Sequence, residues 1–96
     1  SFSYTRMNLG GLMSLASLAE RVGVDLWHYE TADGRSIRKA LDFVVPYLTD
    51  PSKKWPGKQI KGFDRSDYAP MLRQAAEKFN APAYEKVAAD LTRNKK

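Results

Sequence analysis

Residues 5–22 read TRMNLGGLMSLASLAERV, and the spacing of their apolar members decides the fold. Leu9, Leu12, Met13, Ala16 and Ala19 recur at intervals of three and four, the period of one helical face. A second set, Leu15, Leu18 and Val22, widens that face, so the spacing predicts a helix over Thr5–Val22 buried on more than one side. Gly10 and Gly11 weaken it by roughly 1 kcal/mol each relative to alanine. Two adjacent glycines in such a helix predict close approach of another backbone. Gly23 is a suitable stop, because glycine tolerates the left-handed conformation that ends many helices.

Outward from this helix, residues 24–34 read VDLWHYETADG and finish on the turn pair Asp33-Gly34. Ser36 can then cap a second helix over Ile37–Leu48, with Ile37, Ala40, Leu41, Val44, Val45 and Leu48 apolar. Pro46 lacks a backbone donor and is expected to kink or shorten its last turn. Residues Thr49–Asp64 form a long connection holding Pro51, Pro56, Gly57 and Gly62, and connections of that length are often functional. Lys53, Lys54, Lys58 and Lys61 make it strongly positive around Trp55. A third helix over Ser66–Phe79 places Tyr68, Met71, Leu72, Ala75 and Phe79 on one side, with Pro70 tolerable in its first turn. Asn80 caps it, and Pro82 opens a fourth helix to Leu91 with Tyr84, Val87, Ala88 and Leu91 inward. The tail 93–96 should fray. No strand signal and no internal repeat is visible. The expected architecture is therefore all-α, built of antiparallel helical hairpins.

Bulk properties narrow the function classes. The chain has 96 residues, enough for one small domain, and begins at Ser1 without a methionine, which fits a processed chain or a piece of a longer one. Its net charge of +5 favours polyanionic partners: nucleic acid, anionic lipid or acidic polysaccharide. The absence of cysteine excludes disulfides, thiolate-bound zinc and thiol catalysis, and leaves the redox compartment open. No apolar run approaches the length of a membrane span.

Three stretches, in order, resemble the alginate lyase family, whose catalytic domain is an incomplete (α/α) toroid of antiparallel helices. They are YTRMNL at 4–9, LAERVGVDLWHY at 18–29 continuing as DGRSIRKALDF at 33–43, and KWPGKQI at 54–60. Their order and intervals are similar to the C-terminal third of that domain, so the resemblance implies that residues 1–96 are the C-terminal part of an alginate-lyase-like helical domain. In the family an Asn-His pair and an Arg precede a Tyr at the head of a helix, in a pattern like Tyr-His-x-Tyr-Ala-Leu. Tyr4 takes the place of the first Tyr, because Leu9 keeps the spacing to the family's Leu. The Asn, His and Arg would lie upstream of Ser1, so Tyr4 alone is carried over. Thr5 stands where better-known members have His, and Met7 where they have a second Tyr, which leaves open which uronate polymer is cut and whether cutting is internal or from an end.

The resemblance implies cleavage of a uronate polymer such as alginate by β-elimination. That chemistry needs the C6 carboxylate neutralised, the C5 proton removed by a base and the leaving O4 protonated by an acid. It needs no metal and no organic cofactor if Asn, His and Arg hold the carboxylate. A phenol is protonated at neutral pH, with an unperturbed pKa of about 10, so Tyr4 suits the acid. It could serve as base only beside cations that favour phenolate. The bland alternative for Tyr4 is an aromatic packed at a helix entry.

Other residues carry weaker signals. His28 is the only histidine, so no histidine cluster can bind a metal, and a structural hydrogen bond is its expected role. Trp27 is expected in the core. Arg35, Arg38 and Lys39 are expected on an exposed helix face with Asp42. Lys53, Lys54, Lys58 and Lys61 either steer an anionic polymer or sit on a solvated loop. Trp55 either pins that loop or stacks on a sugar, with packing favoured. Lys53, Lys54, Trp55 and Lys58 form a candidate substrate subsite.

The resemblance thus implies a periplasmic or secreted polysaccharide lyase, inactive in this portion alone, with an acidic polysaccharide and the remainder of its own catalytic domain as partners. The alternative is a non-catalytic basic helical module binding an acidic polymer. No nucleic-acid motif is visible and acids such as Asp64, Asp67, Glu77 and Glu85 interrupt the basic residues, so nucleic acid is not an expected partner.

Overall fold

A computed structural model describes residues 2–50 and 65–93, with side chains from Thr5 onward. The described elements are α1 (Phe2–Glu20), α2 (Ile37–Thr49), a 3₁₀ turn (Arg65–Tyr68), α3 (Ala69–Lys78) and α4 (Pro82–Arg93). All are helical, as the periodicity requires, and consistent with a portion of an (α/α) toroid.

The inner face of α1 is Leu9, Met13 and Ala16, each at most 3% exposed. They join one core with Ile37, Leu41, Val44 and Leu48 of α2, Leu72 and Ala75 of α3, and Tyr84 and Ala88 of α4. The outer face departs from expectation. Leu12, Leu15, Leu18 and Val22 are 50–77% exposed, so within this chain α1 is buried on one side only. Among the described residues a single layer of helices packs on α1 and none covers its back. Among the described residues the glycine pair likewise meets no backbone: a methyl group at Gly10 would touch Met71 Cε at 3.7 Å, and one at Gly11 would touch none of them within 4 Å.

Two helices end in the same way. Beyond α1, Gly23 N–H donates to Glu20 O at 3.1 Å and Val24 N–H to Ala19 O at 2.9 Å, with Gly23 at φ +79°. Beyond α3, Asn80 N–H donates to Glu77 O at 3.3 Å and Ala81 N–H to Ala76 O at 2.9 Å, with Asn80 at φ 50°. This paired 5→2 and 6→1 closure is the Schellman motif, and it satisfies carbonyls the helix leaves free.

Ser36 caps α2 as expected, its Oγ accepting from Lys39 N–H at 3.1 Å. Pro46 does not shorten α2, which runs on to Thr49. Buried Val44 and Leu48 flank the proline, and Asp50 N–H still closes the last turn onto Pro46 O at 3.0 Å. The third segment begins as a 3₁₀ turn rather than an α-helix from Ser66. Pro70 cannot donate to Ser66 O and crowds it, so regular α geometry starts only around the proline.

Cross-links fix the layers. Gln74 Nε2 donates to Ser17 Oγ at 3.0 Å and Lys78 Nζ to Glu20 at 2.9 Å, joining α3 to α1. Tyr84 Oη donates to Asp42 Oδ1 at 2.5 Å, joining α4 to α2. Arg38, exposed as anticipated, lays its guanidinium 5.5 Å from the Phe79 ring centre. Among the described residues no helix is long and apolar enough to cross a membrane.

Candidate active site

Tyr4 is the third residue of α1, within its first turn, and only its backbone is described. At 3.6 residues per turn it shares a face with Asn8, Gly11 and Leu15, all exposed. The first-turn N–H groups of a helix lack intrahelical partners, and its dipole favours negative charge there. A phenol that passes through phenolate is favoured at this end of the helix rather than the other.

Arg6 lies on the opposite face, in line with Leu9 and Met13. Its Nε is buried with no hydrogen-bond partner among the described residues. Its charge acts on Tyr68, whose phenol is pushed up to about 12 by burial against the opposing pull of Arg6. Together with Ser66, Asp67, Arg73 and Thr92 it lines a hollow of about 380 Å³ beside the head of α1. Sequence reading passed over Arg6, although an arginine in the inward register of an apolar helix was a legible signal.

Lys53, Lys54, Trp55 and Lys58 lie outside the described residues, as does Lys61. The described residues on either side of 51–64 are close together, with Arg65 Nε donating to Tyr47 O at 3.4 Å. Tyr4 and the lysine-rich subsite are therefore not brought together by any described contact.

His28 has the structural role expected of it. Its Nδ1 lies 2.9 Å from Asp25 Oδ2, its N–H donates to Asp25 Oδ1 at 3.2 Å, and its ring meets Phe79 edge-on. The hydrogen bond from His28 holds the Asp25 carboxyl below its usual range. Trp27, 2% exposed, is a core residue. Glu30 pairs with Lys39 rather than with His28. Among the described residues no group of three or more His, Cys, Asp or Glu is placed to hold a metal.

A second, larger groove of about 720 Å³ lies between α1, which contributes Leu12 and Leu15, and the segment 26–40. Its exposed surface is almost wholly apolar, whereas the hollow beside Arg6 mixes polar and apolar surface.

Among the described residues the chain is all-helical around one core, an arrangement consistent with helical hairpins of an (α/α) toroid. A family model for alginate lyase matches residues 1–55, more than half of the chain and all of α1 and α2. A crystal structure of an alginate lyase from Bacteroides ovatus superimposes with a TM-score of 0.83 at 35% identity, over 93% of this chain and 24% of that one. A comparison with curated proteins finds no match. The chain belongs to the alginate lyase family, and it spans about a quarter of the length of that solved lyase.

Proposed function

We propose that this chain is the part of a polysaccharide lyase that supplies the proton donor, Tyr4, for β-elimination in a uronate polymer such as alginate. The observation that carries this reading is the family membership across residues 1–55, which include Tyr4 at the head of α1. During elimination a base of the catalytic domain takes the C5 proton, the C5–H electron pair forms the C4=C5 double bond, the C4–O4 bond breaks, and O4 departs as an alkoxide that must be protonated. An ordinary phenol is charged with a proton at pH 7 and can hand it over without prior activation. The helix-end setting of Tyr4 lowers the cost of the phenolate left behind.

The groups that neutralise the substrate carboxylate are not assigned to this chain, so the 96 residues alone are inactive. The remainder of the catalytic domain and an acidic polysaccharide are the partners this reading needs. Lys53, Lys54, Trp55 and Lys58 are the candidate substrate subsite of this reading, its lysines attracting the anionic polymer. A polymer-degrading enzyme of this kind works in the periplasm or outside the cell. The chemistry uses side chains only and requires no cofactor.

The test is Tyr4→Phe in the full-length protein. Formation of unsaturated product from alginate, followed by ultraviolet absorbance, should fall by about 10²–10⁴-fold, the usual size of a lost general acid. Oligosaccharide binding should persist. Near-normal turnover would remove Tyr4 from the mechanism.

A further inference from the structure

We infer that Arg6 is a positioning residue for the proton donor: its half-buried side chain fixes the rotation of α1 about its own axis, and with it the placement of Tyr4. The inference rests on the lyase reading above, since it needs Tyr4 to be the acid.

Tyr4 stands in the first turn of α1, and helix ends fray unless tertiary contacts hold them. Farther along, α1 is tied to α3 by the bonds of Gln74 to Ser17 and Lys78 to Glu20, about four turns from Tyr4. Those bonds hold the C-terminal half of the helix. At the Tyr4 end, Arg6 reaches across to three other elements. It lines one hollow with Ser66 and Asp67 of the 3₁₀ turn, Arg73 of α3 and Thr92 of α4. Its charge also acts on the phenol of Tyr68, which is fully buried.

The residue type is as informative as the location. A cation on the face that carries Leu9 and Met13 is costly, because its charge leaves water, and Arg6 Nε finds no hydrogen-bond partner among the described residues. Leucine or methionine would pack there without that cost. Apolar packing, however, loses uniqueness before it loses stability, so it tolerates a helix that turns slightly in place. Arginine adds direction, through a rigid planar fork of five donors. Side chains reach roughly 5–6 Å from a helix axis, so a rotation of about 10° carries a tip by about 1 Å. A misplacement of that size can cost about 10²-fold in rate. Arg6 lies on the face opposite Tyr4 with its Nε out of solvent, so it acts through the helix rather than on the sugar.

The experiment is a double-mutant cycle in the full-length protein. Arg6→Met and Arg6→Lys are made alone and together with Tyr4→Phe. Values of kcat and KM are measured on alginate oligomers under conditions where urea melts show each variant folded. Arg6→Met should lower kcat by about 10²-fold and leave KM within about twofold. Arg6→Lys keeps the charge and the stem without the fork, and its kcat should lie between Arg6→Met and the parent. Beside Tyr4→Phe, either substitution should change kcat by less than about twofold, because a positioner does nothing once the group it positions is gone. A merely structural role would slow both backgrounds equally, and that result would overturn the inference. A rise in KM alone would make Arg6 a substrate-binding group, and unchanged kinetics would leave it idle; each overturns the inference too. Where Arg6→Met does not fold, Arg6→Lys decides by the same comparison. If Arg6→Lys fails to fold as well, Arg6 supports the whole core rather than one helix turn, and the positioning role is lost. A silent Tyr4→Phe brings down both the lyase reading of Tyr4 and this inference. A slow Tyr4→Phe beside normal Arg6 variants brings down this inference alone.

Discussion

At the scale of single residues, the most informative side chain after Tyr4 is another tyrosine. Tyr84 is 5% exposed, and its pKa is pushed up to about 12, first by burial and then by its hydrogen bond to Asp42, with Arg38 acting in the opposite direction. Tyr68 is raised to about 12 as well. A phenol whose pKa is higher folded than unfolded holds its proton more tightly in the native state. Its stabilising contribution is complete below pH 10 and is lost as pH climbs from about 10 to about 12, because only the unfolded chain ionises in that window. Tyr84→Phe removes one donor from Asp42, which stays in reach of water. It should therefore cost about 1 kcal/mol at pH 7. In urea melts of the full-length protein between pH 8 and 11.5, the variant should also lose less stability above pH 10 than the parent. An unchanged alkaline slope would mean that Tyr84 titrates normally.

At the scale of elements, what the sequence disclosed was whatever is decided locally. Gly23 and Asn80 end helices because a left-handed residue closes the same pair of hydrogen bonds at each, and both were legible as stops. Ser36 was legible as a cap for the same reason, its hydroxyl being three residues from the N–H it accepts. Ser36→Ala should lower stability by about 1 kcal/mol, measured as a shift in the urea midpoint at constant m-value. What the sequence concealed depends on neighbours outside the element. Pro46 reads as a helix breaker until Val44 and Leu48 are seen buried on either side of it. Leu15, Leu18 and Val22 read as core because periodicity reports that a side chain is apolar, not whether anything in this chain covers it. Gly10 and Gly11 announce a close approach that no backbone among the described residues makes. The candidate site divides in the same way. Tyr4 was reached through its distance to Leu9, a local relation; Arg6 was legible as an arginine in the inward register of α1, but the hollow it lines is made by the 3₁₀ turn, α3 and α4, which its own neighbours in sequence do not disclose.

At the scale of the whole molecule, the lyase and the basic-module readings differ in what these residues do by themselves. The net charge of +5 invites the second reading, but net charge is not field. Five described cations sit against carboxylates: Arg35 on Asp33, Lys39 on Glu30, Arg73 on Glu85, Lys78 on Glu20 and Arg93 on Asp90. Such exposed pairs add little stability, yet each one cancels charge at short range. A polyanion-binding module instead neutralises several phosphates or carboxylates with free cations, and its log K falls linearly with log salt. The 96-residue chain should therefore bind alginate oligomers and single-stranded DNA alike more weakly than about 10⁻⁴ M at 0.15 M salt. The full-length protein should bind alginate oligomers and prefer them to DNA, since its specificity comes from a carboxylate-holding cleft rather than from surface charge. Quenching of tryptophan fluorescence across a salt titration reads both. Micromolar binding of either polymer by the 96 residues, erased in proportion to salt, would mean that the charge is displayed rather than compensated, and the basic-module reading would then replace the lyase one.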